Sequence, residues 1–528
     1  MSASSKRLAA ITLGSWFILL LISGMIPQRI SYDPALGFTA LKQYLKGESP
    51  SINHFTSPDP KDLSRDTTYW IYWWPPSSQF LAYPLMKIGL TLKQAIRILV
   101  LFCIGLGALG WSIWISRFEF PSLWKIVLAA SFPWIPYGNR GFSSYSAETL
   151  VFGLAPWILL ATALLAERWE SDKESRGALI TTGVLFAFSY WVKYTLVFIP
   201  IGCIAYLTIQ TLRSGKSRQF LELMVVSGLL ICSVFSLNVM NWLLSKSLNP
   251  ISCTLHPLFR WEDLFFAVSL FPIALANADL FWKFTFMHPI YGLYLKFPGV
   301  ASMVDNTPMW LAWMGLPGAL WILWIISHRR RGHRETDLSA VCLFTTFFIL
   351  LALFIVSFSK LYQSRYVAAT ALAILPLCLQ TISSERFGLK KIIFLGMAAF
   401  YIWLPLFSKV ANIGKYVIKT HFLGLKPNAA DSIIEGLGNK NNGDKVWLVL
   451  DPRQALQIGG RIIFIPDQNS LKIYRSSKPL HISLILPSEI EQNGYGEKIR
   501  RAFPQITSWK KCPLEGTTLN EWAAEIKP

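Results

Sequence analysis

Charge is scarce in this chain. Only 15% of its 528 residues are charged, against the roughly 25% usual in a soluble globular domain. Acids are scarcer still, 30 Asp and Glu against 50 Lys and Arg, for a net charge of +20. The seven cysteines are scattered, with no CxxC and no Cys/His group at zinc spacing, so neither a zinc ribbon nor a thioredoxin-like redox motif is present. Cys253 and Cys512 alone lie outside apolar runs, and a disulfide between them stays open. No strong repeat and no low-complexity segment is visible, which argues against a solenoid or a disordered tail.

What is there instead is apolar. Hydrophobic residues make up 53% of the chain, with 22 tryptophans and a mean hydropathy of +0.40. Together with the charge deficit, this describes a polytopic membrane protein rather than one large soluble core. The basic excess does not indicate a nucleic-acid partner, because many of the basic residues sit in short loops between apolar runs rather than on one patch.

Apolar runs fall near 8–25, 94–115, 124–138, 149–166, 178–192, 195–212, 221–243, 308–327, 339–358, 366–382 and 392–408. They predict about eleven transmembrane helices. The first follows Lys6 and Arg7 and lacks a clear small-x-small cleavage site, so it reads as a retained signal anchor. Alternate loops are rich in Lys and Arg ("SRFEFPSLWK", "ERWESDKESRG", "RSGKSRQ", "HRRRGHRE", "SSERFGLKK"). The positive-inside rule then puts the N-terminus in the cytoplasm and, with an odd count, the C-terminus outside, in an inner (plasma) membrane.

The expected division is a membrane module over 1–409 and an extracytoplasmic α/β domain over 410–528. Within the module, 27–93 forms a first outer loop with juxtamembrane, interfacial helices, and 244–307 a second outer loop. In the tail, "KVWLVL", "RIIFI" and "HISLIL" are short β-branched runs separated by Gly, Pro, Asp and Asn, as strands would be.

Six charged positions stand out at the outer edge. Asp33, in "SYDPALGFTALKQYL", precedes a segment with apolar residues at helical spacing, read as an amphipathic helix on the membrane surface. It serves as a helix cap or as a reactive carboxylate. Glu148 opens a span, where the helix dipole alone would favour an acid, and Arg140 and Tyr145 precede it. Lys193 interrupts an apolar stretch from Ala178 to Leu212. It lies either at the outer turn of two short spans or inside the membrane, where a cation faces a cavity or a partner. Lys360 and Arg365 flank Tyr362 on the side that should carry little positive charge. A carboxylate to accept a proton and cations to hold a phosphate are what transfer from a lipid phosphate requires.

The order of these features resembles the GT-C glycosyltransferases, including protein O-mannosyltransferases and aminoarabinose transferases. The resemblance rests on "YDPALGFTALKQYLKGESPS", on "YWWPPSSQFLAYPLMKIGLTLKQAIRIL", and on the later "SYSAETLVFGLAPWILL", "YWVKYTLVFIP" and "SRYVAATALAILPL". It covers most of the chain through loose motifs. It implies a polyprenyl-phosphate-linked sugar donor, an acceptor hydroxyl on a lipid, glycan or protein, and inversion at the anomeric carbon. It makes Asp33 the base. Lys193 and Arg365 hold the phosphate and Glu148 orients donor or acceptor, with Arg140, Tyr362 and Tyr366 completing the substrate site. The family often carries two adjacent acids in the first loop, whereas Asp33 stands alone before Pro34. No cofactor is therefore assigned, and a divalent cation stays open. A transporter or flippase of lipid-linked glycan, or a glycan ligase or polymerase, is the alternative. The first would carry inverted repeats and polar groups at mid-depth.

Overall fold

The computed structural model describes residues 3–23, 29–134 except 31 and 73, 144–245 except 146, 333–356, 368–384, a few positions between 320 and 396, and 445–526 except 459, 465–472, 488–494 and 515–518. The helices among them are α1 (Ala3–Ser23), α2 (Tyr32–Leu45), α3 (Ser77–Lys87), α4 (Leu92–Ser116), α5 (Ser122–Ser131), α6 (Ala147–Glu170), α7 (Arg176–Val192), α8 (Phe198–Ser214), α9 (Ser217–Ser245), α10 (Arg334–Val356), α11 (Ala368–Ser384), α12 (Pro452–Ile458) and α13 (Tyr495–Arg501). The strands are the two-residue β1 (Arg29–Ile30), β2 (His54–Asp59), β3 (Asp62–Trp70), the two-residue β4 (Ser144–Tyr145), β5 (Lys445–Val449), β6 (Arg461–Phe464), β7 (Leu480–Pro487), β8 (Lys510–Pro513) and β9 (Leu519–Ile526). The chain divides into two compact units. One comprises Met1–Ile26, Arg97–Met240 and Leu248–Ile418, and the other Pro27–Ile96, Asn241–Ser247 and Lys419–Pro528.

The first unit is a helical bundle. Among the described residues five helices are long and apolar enough to cross a membrane: Ala3–Ser23, Leu92–Ser116, Ala147–Glu170, Tyr194–Ser214 and Ser217–Ser245. The expected runs at 308–327 and 392–408 lie largely outside the described residues. Large apolar side chains are exposed in rows, with Ile180, Val184 and Phe188 along α7, and Leu221, Met224, Val225, Ile231 and Phe235 along α9. A soluble monomer rarely exposes so much contiguous apolar surface, whereas a lipid-facing helix must. The chain is an integral membrane protein. Inside the bundle, α8 and α10 touch at Gly202, where an added Cβ would lie 2.8 Å from the Cα of Cys342. Such close approach replaces the hydrophobic driving force that is weak between helices in lipid.

The two ends of α6 differ electrically. At its C-terminal end Glu167 and Glu170 meet Arg117 and Arg334, and Arg117 also pairs with Glu335 at 2.7 Å. Two bases of the loops read as topogenic, Arg117 and Arg334, are therefore neutralised locally. The N-terminal end carries Glu148, about 30 Å away at 1.5 Å per residue.

In the second unit five strands form one sheet in the order β6-β5-β7-β9-β8, and the β5, β6 and β7 segments coincide with the three runs read as strands. β5 is parallel to β6 and β7, and Trp447 stands opposite Ile462 and Ser483. β9 runs antiparallel to β7 and β8. Alternation along the strands makes both faces apolar. On one face Val446, Leu448, Ile482 and Leu484 pack with Ile499 of α13, Phe503 and Leu63. On the other, Trp447, Val449, Ile462 and Ile485 pack with Ala455 and Ile458 of α12, and with Leu36, Ala40, Phe55 and Ile71.

Those last partners, with Leu63, come from the first outer loop, which the sequence groups with the membrane module. The loop is also not all helix. β2 and β3 form an antiparallel hairpin whose turn is closed by Lys61 N donating to Asp59 Oδ1 at 2.9 Å. The expectation of a surface helix after Asp33 is corrected as well. From Pro34 to Leu41 every residue of α2 is buried within the unit. A helix apolar on most sides belongs in a core, and here the sheet covers one side and α3 with the hairpin another.

Candidate active site

Lys193 sits at the junction of two short helices, the first of the two placements its sequence allowed. Pro200 lies in the first turn of α8, where its ring excludes a helical carbonyl four residues back. The chain leaves α7 at Val192, becomes extended at Lys193 (φ −161°, ψ 133°) and makes a 3-10 turn over Tyr194–Val197. Lys193 N donates to Ser189 O at 3.1 Å and Leu196 N to Lys193 O at 2.9 Å, so the break leaves these amides satisfied.

The junction is nonetheless buried. Lys193 is 5% exposed and Glu148 6%, and Lys193 Nζ donates to Glu148 Oε1 at 2.5 Å. Helix dipoles favour both ends of the pair, since the acid lies in the first turn of α6 and the cation caps the C-terminus of α7. Desolvation still opposes it, so a buried ion pair of this kind is weak evidence for stability. Tyr190 and Tyr194 lie beside the junction with ring centroids 5.0 Å apart. Asn238 Nδ2 donates to the Tyr190 hydroxyl at 2.9 Å. A compact ammonium with three donors can exchange a carboxylate for a phosphate oxygen without changing its own position.

Asp33 occupies the first turn of α2, which begins at Tyr32, rather than preceding the helix as its sequence suggests. Its side chain lies outside the described residues. α2 itself is tied on several sides. Lys42 Nζ donates to Leu456 O at 2.8 Å at the end of α12. Gln43 exchanges two hydrogen bonds with the Thr56 backbone, at 2.8 and 2.9 Å. At Gly37 the Gln79 amide fills the place of a side chain, and Gln79 Nε2 donates to Asn53 Oδ1 at 3.0 Å.

Arg140, Tyr362, Arg365 and Tyr366, and Cys253, lie outside the described residues. Glu148 and Lys193 are brought together. Asp33 belongs to the other unit. Among the described residues no group of three or more His, Cys, Asp or Glu could hold a metal ion. Sequence reasoning missed Asn53, Gln79, Tyr190 and Asn238. One signal for the first two was present: a glycine inside the helical pattern "PALGFTAL" marks a close approach.

No family model and no curated protein matches the chain. Among solved structures, the chain is similar in fold to an aminoarabinose-transferase-type structure. This is ArnT from Cupriavidus metallidurans bound to undecaprenyl phosphate, with a TM-score of 0.51 over 99% of this chain and 98% of that one, at 12% identity. The apo ArnT structure matches at a TM-score of 0.47, 12% identity, and 98% and 97% coverage. The chain thus has an ArnT-like fold, the fold that the GT-C resemblance implied.

Proposed function

We propose that the protein is a GT-C-type glycosyltransferase that moves a sugar from a polyprenyl-phosphate carrier to an acceptor hydroxyl outside the cytoplasm. The buried Lys193–Glu148 pair carries this reading: a desolvated cation held at one end of a lipid-facing bundle suits a lipid phosphate. The fold is shared with a protein crystallised with undecaprenyl phosphate. About eleven spans, an outward-facing tail domain and a cytoplasmic N-terminus belong to the same reading. A pair at the terminus of α6 fits a transferase better than a transporter with polar groups at mid-depth.

In the reaction, Asp33 takes the proton of the acceptor hydroxyl as its oxygen attacks the anomeric carbon. The new carbon–oxygen bond forms as the bond to the phosphate oxygen breaks, inverting the centre. The bonding electrons leave with the polyprenyl phosphate, whose added charge Lys193 and Arg365 offset. Glu148 orients the donor sugar or acceptor, with Arg140, Tyr362 and Tyr366 lining the same substrates. The test is purified protein in lipid nanodiscs with labelled polyprenyl-phosphate sugars and an extract of envelope lipids, glycans and proteins. Labelled product with release of polyprenyl phosphate supports the reading. Donor that crosses the bilayer intact, with no product, supports the transporter instead.

A further inference from the structure

Glycine is a poorer helix former than alanine, yet α2 keeps Gly37 in its second turn. A Cβ at that position would lie 2.1 Å from Gln79 Nε2 and 2.6 Å from its Cδ. The Gln79 side chain cannot simply move aside. It is buried, and its amide donates to Asn53 Oδ1 at 3.0 Å. Asn53 is buried too, and its Nδ2 donates to Ile71 O at 2.7 Å, at the end of the hairpin. The chain of contacts therefore runs from the hairpin through Asn53 and Gln79 to the backbone of α2. On the adjoining face, Leu36 and Ala40 hold α2 against Trp447 and Val449 of the sheet.

Residues 33 and 37 are four apart, so they share one face of the helix, one turn apart. Gly37 is the gap through which α3 reaches the Asp33-bearing face. We infer that Gln79, seated on Gly37 and held by Asn53, is a positioning residue that fixes the first turn of α2 and with it Asp33. The inference rests on the reading of Asp33 as the base. A misplacement of about 1 Å in a reacting geometry can cost on the order of 100-fold in rate, which a buried amide clamp can prevent.

The test compares Gly37→Ala, Gln79→Ala, the double variant Gly37→Ala/Gln79→Ala and Asp33→Asn for kcat, donor KM and thermal unfolding in nanodiscs. Each single clamp variant is expected to lower kcat tenfold or more with donor KM within twofold. The double variant, in which the added methyl occupies vacated space, recovers kcat above either single. If Gly37→Ala does not fold, Gln79→Met keeps much of the volume without a charge, removes the donor to Asn53, and reads the same split. Wild-type kcat in the clamp variants beside an inactive Asp33→Asn overturns the positioning role and leaves the base in place. Wild-type kcat in Asp33→Asn overturns the base assignment itself.

Discussion

Lys193 Nζ lies 2.5 Å from Glu148 Oε1, and the two side chains are almost completely buried where α6 begins and α7 ends. Breaking one half of such a pair leaves an uncompensated charge, at about 3–5 kcal/mol, whereas removing both is far milder. Lys193→Met and Glu148→Gln should each lower the unfolding temperature markedly, and the double variant should regain most of the loss. Donor KM should stay raised in the double variant, because the phosphate has lost its cation. A double variant with wild-type KM would mean that the pair is only structural.

At Gly202 the obstacle to a side chain is backbone, the Cα of Cys342 at 2.8 Å. Gly202→Ala should therefore destabilise the bundle by about 1–3 kcal/mol, and Cys342→Ala should not rescue it. Gly228, with nothing within 4 Å of an added Cβ, is the control, and Gly228→Ala should be neutral or slightly stabilising. Thermal unfolding in detergent reads all of these variants.

Asp62 ties the hairpin to the tail. Its carboxylate accepts from Ser477 N at 3.0 Å, Ser64 Oγ at 2.7 Å and Ser477 Oγ at 2.8 Å. The Ser477 amide first, then these hydroxyls, hold its pKa well below the usual carboxylate range. A depressed folded pKa gives stability that is fully present above the unfolded value, about 3.9, and is lost as pH falls through the folded one. The stability gap between wild type and Asp62→Ala should be constant from neutral pH down to about 4 and narrow below it. A gap that does not vary with pH in acid would contradict this.

The tail's inner core is completed by Leu36, Ala40, Phe55 and Ile71 from the first loop. A fragment of residues 419–528 alone should therefore expose that face and aggregate or stay molten. Adding residues 27–96 in the same polypeptide should restore dispersed amide resonances and a cooperative transition. A well-folded isolated tail would show that the loop merely leans on it.

Much of this was legible in the sequence. Apolar runs announced the helices, and β-branched runs announced β5, β6 and β7. Glu148 and Lys193 were visible because charge at the edge of an apolar run is costly. Their pairing was not, because 45 positions separate them and only the antiparallel packing of α6 and α7 brings them together. The hairpin was missed although "SPDPKD" carries turn signals and "TTYW" is β-forming, because its aromatics also suit a membrane interface. From sequence alone α2 reads as amphipathic, because Lys42 and Gln43 suit water. Gln43 and Lys42 instead satisfy backbone groups of the hairpin and of α12.

The most direct measurement of the central claim is sugar transfer from a labelled polyprenyl-phosphate donor by Asp33→Asn at wild-type expression and unfolding temperature. Loss of a general base predicts a fall of about 100-fold or more in kcat with donor KM little changed. Transfer within twofold of wild type would contradict the account.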